Sequence, residues 1–453
     1  MQYRRPSSTM LVAALVALAA CHDLLSVKTP DVVRPEDLTT AAGLAALRAG
    51  AFGDFAKAYG GDASASDAQE TQILATGMLG DEYKNTDTDP ERIAYDARRA
   101  DPKGVGGHLS NFYAVLQRAR QSAEATAASY ARAAPANLDL VTAEMMSLAG
   151  FIYVFLGEDY CNGVPISSVS AEGEIEYGTP QTNQELFTTA VARFDAAITS
   201  AQRANNTSLE YLARVGKGRA LVNLAQYAQA AAAVATVPTT FRYTLAYSTN
   251  TPRQQNAVFY AVNLLQRWSV ANKKGVNGID YQDAFAAGDP RTPFVVNPNN
   301  TGFDKTAGTQ YFQLLYPSLA APIPLATGTE ARLIEAEAAL AAANTASFTS
   351  IHNQLRATLN KPQVAPIDAD TMSLAARQNF HFRERALWMY STGHRLGDMR
   401  RLVRQYGRPV GQVFPSGAYY RSLYPTFGTD VNFPVSFAET NNPNFTGCLD
   451  RNP

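Results

Sequence analysis

Three cysteines and five histidines are all that this chain of 453 residues holds of the two commonest metal-binding side chains. His22, His108, His352, His381 and His394 show no His-Glu-x-x-His spacing for zinc, and no Gly-x-Ser-x-Gly turn offers a serine nucleophile. No catalytic residue, cofactor or metal is therefore expected. An excess of basic charge is also missing. Taking Arg4 and Arg5, which lie in a removable N-terminal segment, from the 39 Lys and Arg leaves 37 against 40 Asp and Glu. That balance provides no field for nucleic acid. After Cys21 no apolar stretch is expected to reach the roughly 20 residues that span a bilayer. What is present, 46% apolar and 17% charged residues, is a globular profile on a chain long enough for a large core.

The first 21 residues are the most informative. Arg4 and Arg5 make a basic start, Met10 to Ala20 is unbroken apolar sequence, and Leu18-Ala19-Ala20-Cys21 closes it, which reads as a secretory signal. The run is too short to remain as an anchor. The Leu-Ala-Ala-Cys ending resembles the lipobox of bacterial lipoproteins, which makes Cys21 the lipidated first residue of the mature chain; the alternative is an ordinary signal cut at an Ala-x-Ala site. More than one acyl chain gives stable anchoring, so the membrane is reached through the N-terminal lipid. In an exported protein the remaining pair, Cys161 and Cys448, is most simply a disulfide, with two buried thiols as the alternative.

Helical periodicity dominates the middle and the end. Leu186, Phe187, Ala190, Val191, Phe194, Ala197, Ile198 and Ala201 recur at helix spacing. Thr182 with Glu185, Thr207 with Glu210 and Thr327 with Glu330 read as three capping boxes. Gly150, Tyr153, Gly157 and Tyr160, then Gly218, Leu221, Tyr227, Ala230 and Val234, approach tetratricopeptide spacing, in which small residues let paired helices come close. Two stretches, about 60 to 110 and 238 to 325, are irregular; the second is broken by eight prolines, from Pro238 to Pro324. Ordered loops of this length are usually functional. The second is rich in rings, Tyr281, Phe303 and Tyr311 among them, and the first holds Tyr83 and Tyr95. Rings on rigidly held loops can stack on sugars; the plainer reading is that they pin the loops down.

These residues carry a family resemblance. Asp23-Leu24-Leu25-Ser26-Val27, Thr29-Pro30-Asp31 and Gly50-Ala51-Phe52 look like the mature start of SusD/RagB-type nutrient-binding lipoproteins. Glu330 to Ala338 resembles that family's signature helix, and Ile351 to Arg356 the helix after it. Arg383-Glu384-Arg385 leading to Gly393-His394-Arg395-Leu396-Gly397-Asp398-Met399-Arg400-Arg401, then Phe433-Pro434 and Glu439 to Asn444, complete the match. The resemblance implies a mostly α fold, a SusD-like α-superhelix of tetratricopeptide-like helix pairs with long loop-rich insertions and few short strands. Residues 1-20 would be the signal peptide and 21-453 a single domain. Its paired helices are expected around 136-157, 183-235 and 329-357, its ligand-binding loops around 60-110 and 238-325, and a family C-terminal segment over 371-453. Such proteins are not enzymes. They sit on the outer membrane facing the exterior, bind oligosaccharides or sometimes peptides, and work with a SusC-like TonB-dependent transporter. A tetratricopeptide-like envelope assembly lipoprotein, binding other proteins, is the alternative function.

Within the loops, the candidate ligand residues are Tyr83, Tyr95 and Tyr281 with their polar neighbours Asp81, Asn85, Arg98 and Asp283. Asn85, Asp87, Asp89 and Asp96 approach a calcium loop, but Pro90 stands where the turn needs glycine, so a solvated acidic loop is the expectation. His394 is expected to order a helix start, and Arg385, Arg395, Asp398 and Arg401 to form an ion-pair network. Gly216-Lys217-Gly218 falls inside a helix pattern, where no phosphate loop can form.

Overall fold

The structure, a computed structural model, describes residues 40–64, 70–104, 106–170, 173–362 and 364–453. The signal segment, Cys21 and the run from Asp23 to Asp31 lie outside the described residues. The scaffold is built from helices α1 (Ala41–Gly60), α2 (Leu74–Leu79), α3 (Pro90–Asp96), α4 (His108–Ala133), α5 (Leu138–Asp159), α6 (Asn183–Arg203), α7 (Thr207–Asn223), α8 (Tyr227–Val234), α9 (Tyr281–Ala286), α10 (Gly328–Ala341), α11 (Thr345–Ala357), α12 (Leu374–Trp388), α13 (Arg395–Arg404) and α14 (Val410–Val413). Short strands β1 (Tyr83–Asn85), β2 (Arg242–Leu245), β3 (Trp268–Val270), β4 (Phe294–Val296), β5 (Tyr311–Gln313) and β6 (Ile323–Thr327) pair antiparallel as β1 with β3, β2 with β6 and β4 with β5.

Neighbouring helices follow one another through space: α1 packs on α4, α4 on α5, α5 on α6, α6 on α7, α7 on α8, α8 on α10 and α10 on α11. Glycines against rings set these approaches. A Cβ added at Gly150 would lie 2.8 Å from the Phe194 ring, and one at Gly157 2.7 Å from Phe187. Gly216 meets the same Phe194 ring from α7, while Gly218 meets Val234 of α8 and Ile334 of α10. Each glycine thus admits a neighbour's side chain, where any Cβ would collide with it.

Helix α5 corrects one expectation. It is long and apolar enough by composition to cross a membrane, yet most of it is buried inside the fold. Two of its acids are paired with basic residues from other helices, Glu144 with Arg48 and Glu158 with Arg219. Arg400 caps its far end, where Nη1 donates to the carbonyls of Gly157, Glu158 and Tyr160 at 3.0, 2.7 and 3.0 Å. A cation belongs there, because the last carbonyls of a helix lack partners and carry the negative end of its dipole. Just beyond, Cys161 forms a disulfide with Cys448.

The three helix starts differ from one another. Thr182 and Glu185 form a reciprocal capping box. Asn206, one residue before Thr207, is the cap of α7. Thr327 caps α10, but Glu330 turns inward to His394 Nε2 at 3.0 Å in place of completing the box.

Candidate functional site

The loop-rich stretches are fixed to each other by buried charge. Lys274, from the second, places Nζ 2.5 Å from Asp96 and donates to the Gly80 and Tyr83 carbonyls at 3.1 and 3.2 Å. Arg92 pairs with Glu70 and Asp87 at 2.6 and 2.7 Å. These contacts hold β1 against β3, with Lys84 opposite Ser269.

Six of the seven residues named from the sequence belong to this framework and do not form a ligand surface. Asp81 accepts from Arg395 at 2.7 and 2.9 Å and from the Ile279 N–H at 2.9 Å. Burial works to raise its carboxyl, and the Arg395 guanidinium outweighs that and holds it below the usual range. The Tyr83 hydroxyl bonds Ser391 Oγ at 2.6 Å, Tyr95 donates to Glu70 at 3.3 Å, and Tyr281 donates to Asp81 at 3.3 Å. All three rings are fully buried. They are loop pins. Asn85 accepts from the Asp87 N–H and from Arg421, and Arg98 donates to the Asp430 and Pro415 carbonyls, both at 2.7 Å. Asp283 alone is exposed, paired with Lys273 at 2.6 Å.

Strand parity explains the displacement. Successive side chains on a strand face opposite ways, so burying Tyr83 and Asn85 turns Lys84 outward. Its ammonium lies 5.7 Å from the centroid of the Tyr311 ring and 5.9 Å from that of Tyr420. Lys84 makes no ion pair among the described residues. Burial lowers its pKa, opposed by Asp96. Tyr420 is 39% exposed, and its hydroxyl is anchored where it accepts from the Asn85 N–H at 2.7 Å and donates to Asp96. Arg421 continues the surface by bonding Asn85, the Asp87 carbonyl at 2.5 Å, and Asp304. Beyond it Phe303, 46% exposed, has the Arg267 guanidinium 4.8 Å from its centroid.

The result is a face with two ring planes around one ammonium, a third ring nearby, and a fixed fringe of Arg421, Asp304 and Arg267. Such a face can stack on the apolar side of a pyranose while its charged fringe bonds hydroxyls. Phe303 and Tyr311 lie in a stretch already marked as ring-rich; Tyr420 lies in the C-terminal segment and was missed. Its signal was the run Tyr419-Tyr420-Arg421, two rings and a fork donor in a loop.

The calcium-like oxygens diverge onto protein cations. Asp87 meets Arg92, Asp96 meets Lys274, and Asp89 caps α3 and bonds His108. His394 does order its turn, bonding Thr392 through Nδ1, while its Nε2 meets Arg219 Nη1 at 3.0 Å with Glu330 alongside. Asp398 pairs with Arg385 and Arg401, whereas Arg395 leaves that group for Asp81.

No family model matches this chain, and no curated protein matches it. Solved structures do. A laminarin-binding SusD-like protein covers 90% of this chain and 99% of its own at 13% identity and TM-score 0.64. A SusD superfamily protein from Bacteroides vulgatus covers 91% and 99% at 15% identity and TM-score 0.63. A SusD-like carbohydrate-binding protein from the same organism covers 79% and 82% at 14% identity and TM-score 0.56. The fold of this chain is the SusD-like fold.

Proposed function

We propose that this protein is a lipid-anchored glycan-binding protein of the outer membrane, facing the cell exterior, that captures oligosaccharides and hands them to a SusC-like TonB-dependent transporter. The observation that carries the reading is the face around Lys84, where the rings of Tyr311 and Tyr420 sit on loops locked by buried ion pairs. A preformed ring platform binds without the entropic cost of ordering loops. The carbohydrate-binding and laminarin-binding neighbours of the same fold support a sugar ligand. Anchoring rests on Cys21 and the apolar run before it. No catalytic step is assigned.

A glycan screen that includes laminarin oligosaccharides, followed by calorimetry, tests the binding. Tyr420→Ala is expected to weaken the best ligand by about 1 to 3 kcal/mol, as for loss of an aromatic anchor, with the fold retained. Undiminished affinity in both Tyr420→Ala and Lys84→Ala would reject this face. Labelling with a palmitate analogue should mark the wild type and not Cys21→Ala; protease shaving of intact cells reads the orientation.

A further inference from the structure

A second cleft, of about 350 Å³, opens between α12, the end of α13, α14 and the loop before α9. That size falls at the small end of ligand pockets, roughly 300 to 1,000 Å³. Its apolar lining is Ile279, Phe382, Leu402 and Val413; three guanidiniums also line it, and among the described residues no carboxylate does. Two of the three are committed. Arg395 is paired with Asp81 at 2.7 Å, and Arg383 grips Asp280 through Nε and Nη2 at 3.1 Å each. Arg408 is different: its Nη2 donates to three neutral oxygens, Ala375 O at 3.2 Å, Gln378 Oε1 at 3.0 Å and Asn379 Oδ1 at 3.1 Å. It makes no ion pair among the described residues, and its Nε and Nη1 carry no protein hydrogen bond there.

A guanidinium aimed by neutral acceptors keeps its whole charge, and its planar fork matches a carboxylate bidentately. The apolar lining strengthens that attraction by lowering the local dielectric. At the rim the exposed Asn379 and Gln412 present carboxamides for hydroxyls. We infer that this cleft binds a small carboxylate of sugar-acid size, with the acid on Arg408 and the carbon skeleton over Phe382 and Val413. The inference does not rest on the Lys84 face.

The test is calorimetric titration of the mature protein with glucuronate, trigalacturonate and, as the neutral control, glucose. Both acids are expected to bind and glucose not to. Tighter binding of trigalacturonate assigns the cleft to an acidic residue within a polymer, and equal binding to a free sugar acid; each supports the inference. Arg408→Gln should weaken both acids by about tenfold or more, the size of one charge-assisted hydrogen bond. Asn379→Trp, a change at an exposed position, should block the cleft without lowering the thermal melt, so the result does not depend on how Arg408→Gln folds. Tyr420→Ala should leave glucuronate binding unchanged. The inference is overturned if neither acid binds, if glucose binds as well as the acids, or if Arg408→Gln and Asn379→Trp both bind like the wild type. Loss in Tyr420→Ala alone would also overturn it, placing the carboxylate on Lys84.

Discussion

The helical half and the loop half of this molecule are held together by different physics. Between α5, α6, α7, α8 and α10 the contacts are mainly rings and aliphatic groups seated on glycines, with the Glu158–Arg219 pair between α5 and α7 the buried charge among them. In the loop half they are buried charges: Asp81 with Arg395, Asp96 with Lys274, Glu70 with Arg92, Glu384 with Arg291. A helix satisfies its own backbone, so its neighbours need only fit its shape. Irregular chain has amide and carbonyl groups without partners, and each must be met. Lys274 therefore meets the Gly80 and Tyr83 carbonyls, Asp81 the Ile279 N–H, Glu82 the Ser391 N–H, and Glu91 the N–H groups of His108 and Leu109. Charge substitutes for regular structure in meeting the backbone of the loops.

Four measurements would break or sharpen that contrast. Arg395→Ala leaves Asp81 buried without its counter-charge, and a loss of about 3 to 5 kcal/mol in denaturant unfolding is expected. A loss below about 1 kcal/mol would mean that the loops are held by something else. Glu82 supplies the pH arm. Burial, with Asp81 adding to it, pushes its carboxyl from 4.5 up to about 8, so the folded state holds a proton that the unfolded state has released. Stability from this group is full below about pH 4.5 and is lost as pH rises toward 8. Glu82→Gln should abolish that decline, for a relative gain on the order of 3 kcal/mol at pH 8 and none at pH 4. Equal effects at both pH values would count against it.

In the helical half, Gly216→Ala should cost about 1 to 3 kcal/mol, because its new Cβ would lie 2.3 Å from the Phe194 ring. This cost should not vary between pH 5 and 8, which is the sharpest contrast with Glu82. Tyr420→Ala loses the hydrogen bonds to the Asn85 N–H and to buried Asp96, and about 1 to 2 kcal/mol of stability is expected. A larger fall in its melt would make Tyr420 a loop pin like Tyr83.

The helical half was the more legible in sequence, because periodicity and glycine spacing are local. Thr182 with Glu185 caps α6 as their spacing predicts, and Gly150 and Gly157 sit on rings. What failed there depended on distant partners: Glu330 is drawn from its own helix start by His394, far along the chain. In the loop half, rings and acids were visible but not the direction in which they face. One residue of strand parity separates buried Tyr83 from outward Lys84, and nothing local to β1 fixes that parity. Tyr420 joins the face only through contacts with Asn85 and Asp96, more than three hundred positions earlier.

Phe433 sets the order in which the molecule can be completed. Its ring lies edge-on to Tyr95 and Phe112 and beside Tyr160, its N–H donates to the Asp159 carbonyl at 2.7 Å, and its own carbonyl accepts from Cys161 at 2.9 Å. Three early segments thus converge on a side chain synthesised near the end. A chain emerging from its N-terminus can wind α4 and α5 but must keep the place between them open until residue 433 arrives. Nascent or truncated forms would expose that aromatic gap, a mark by which proteases and chaperones tell an unfinished copy from a finished one.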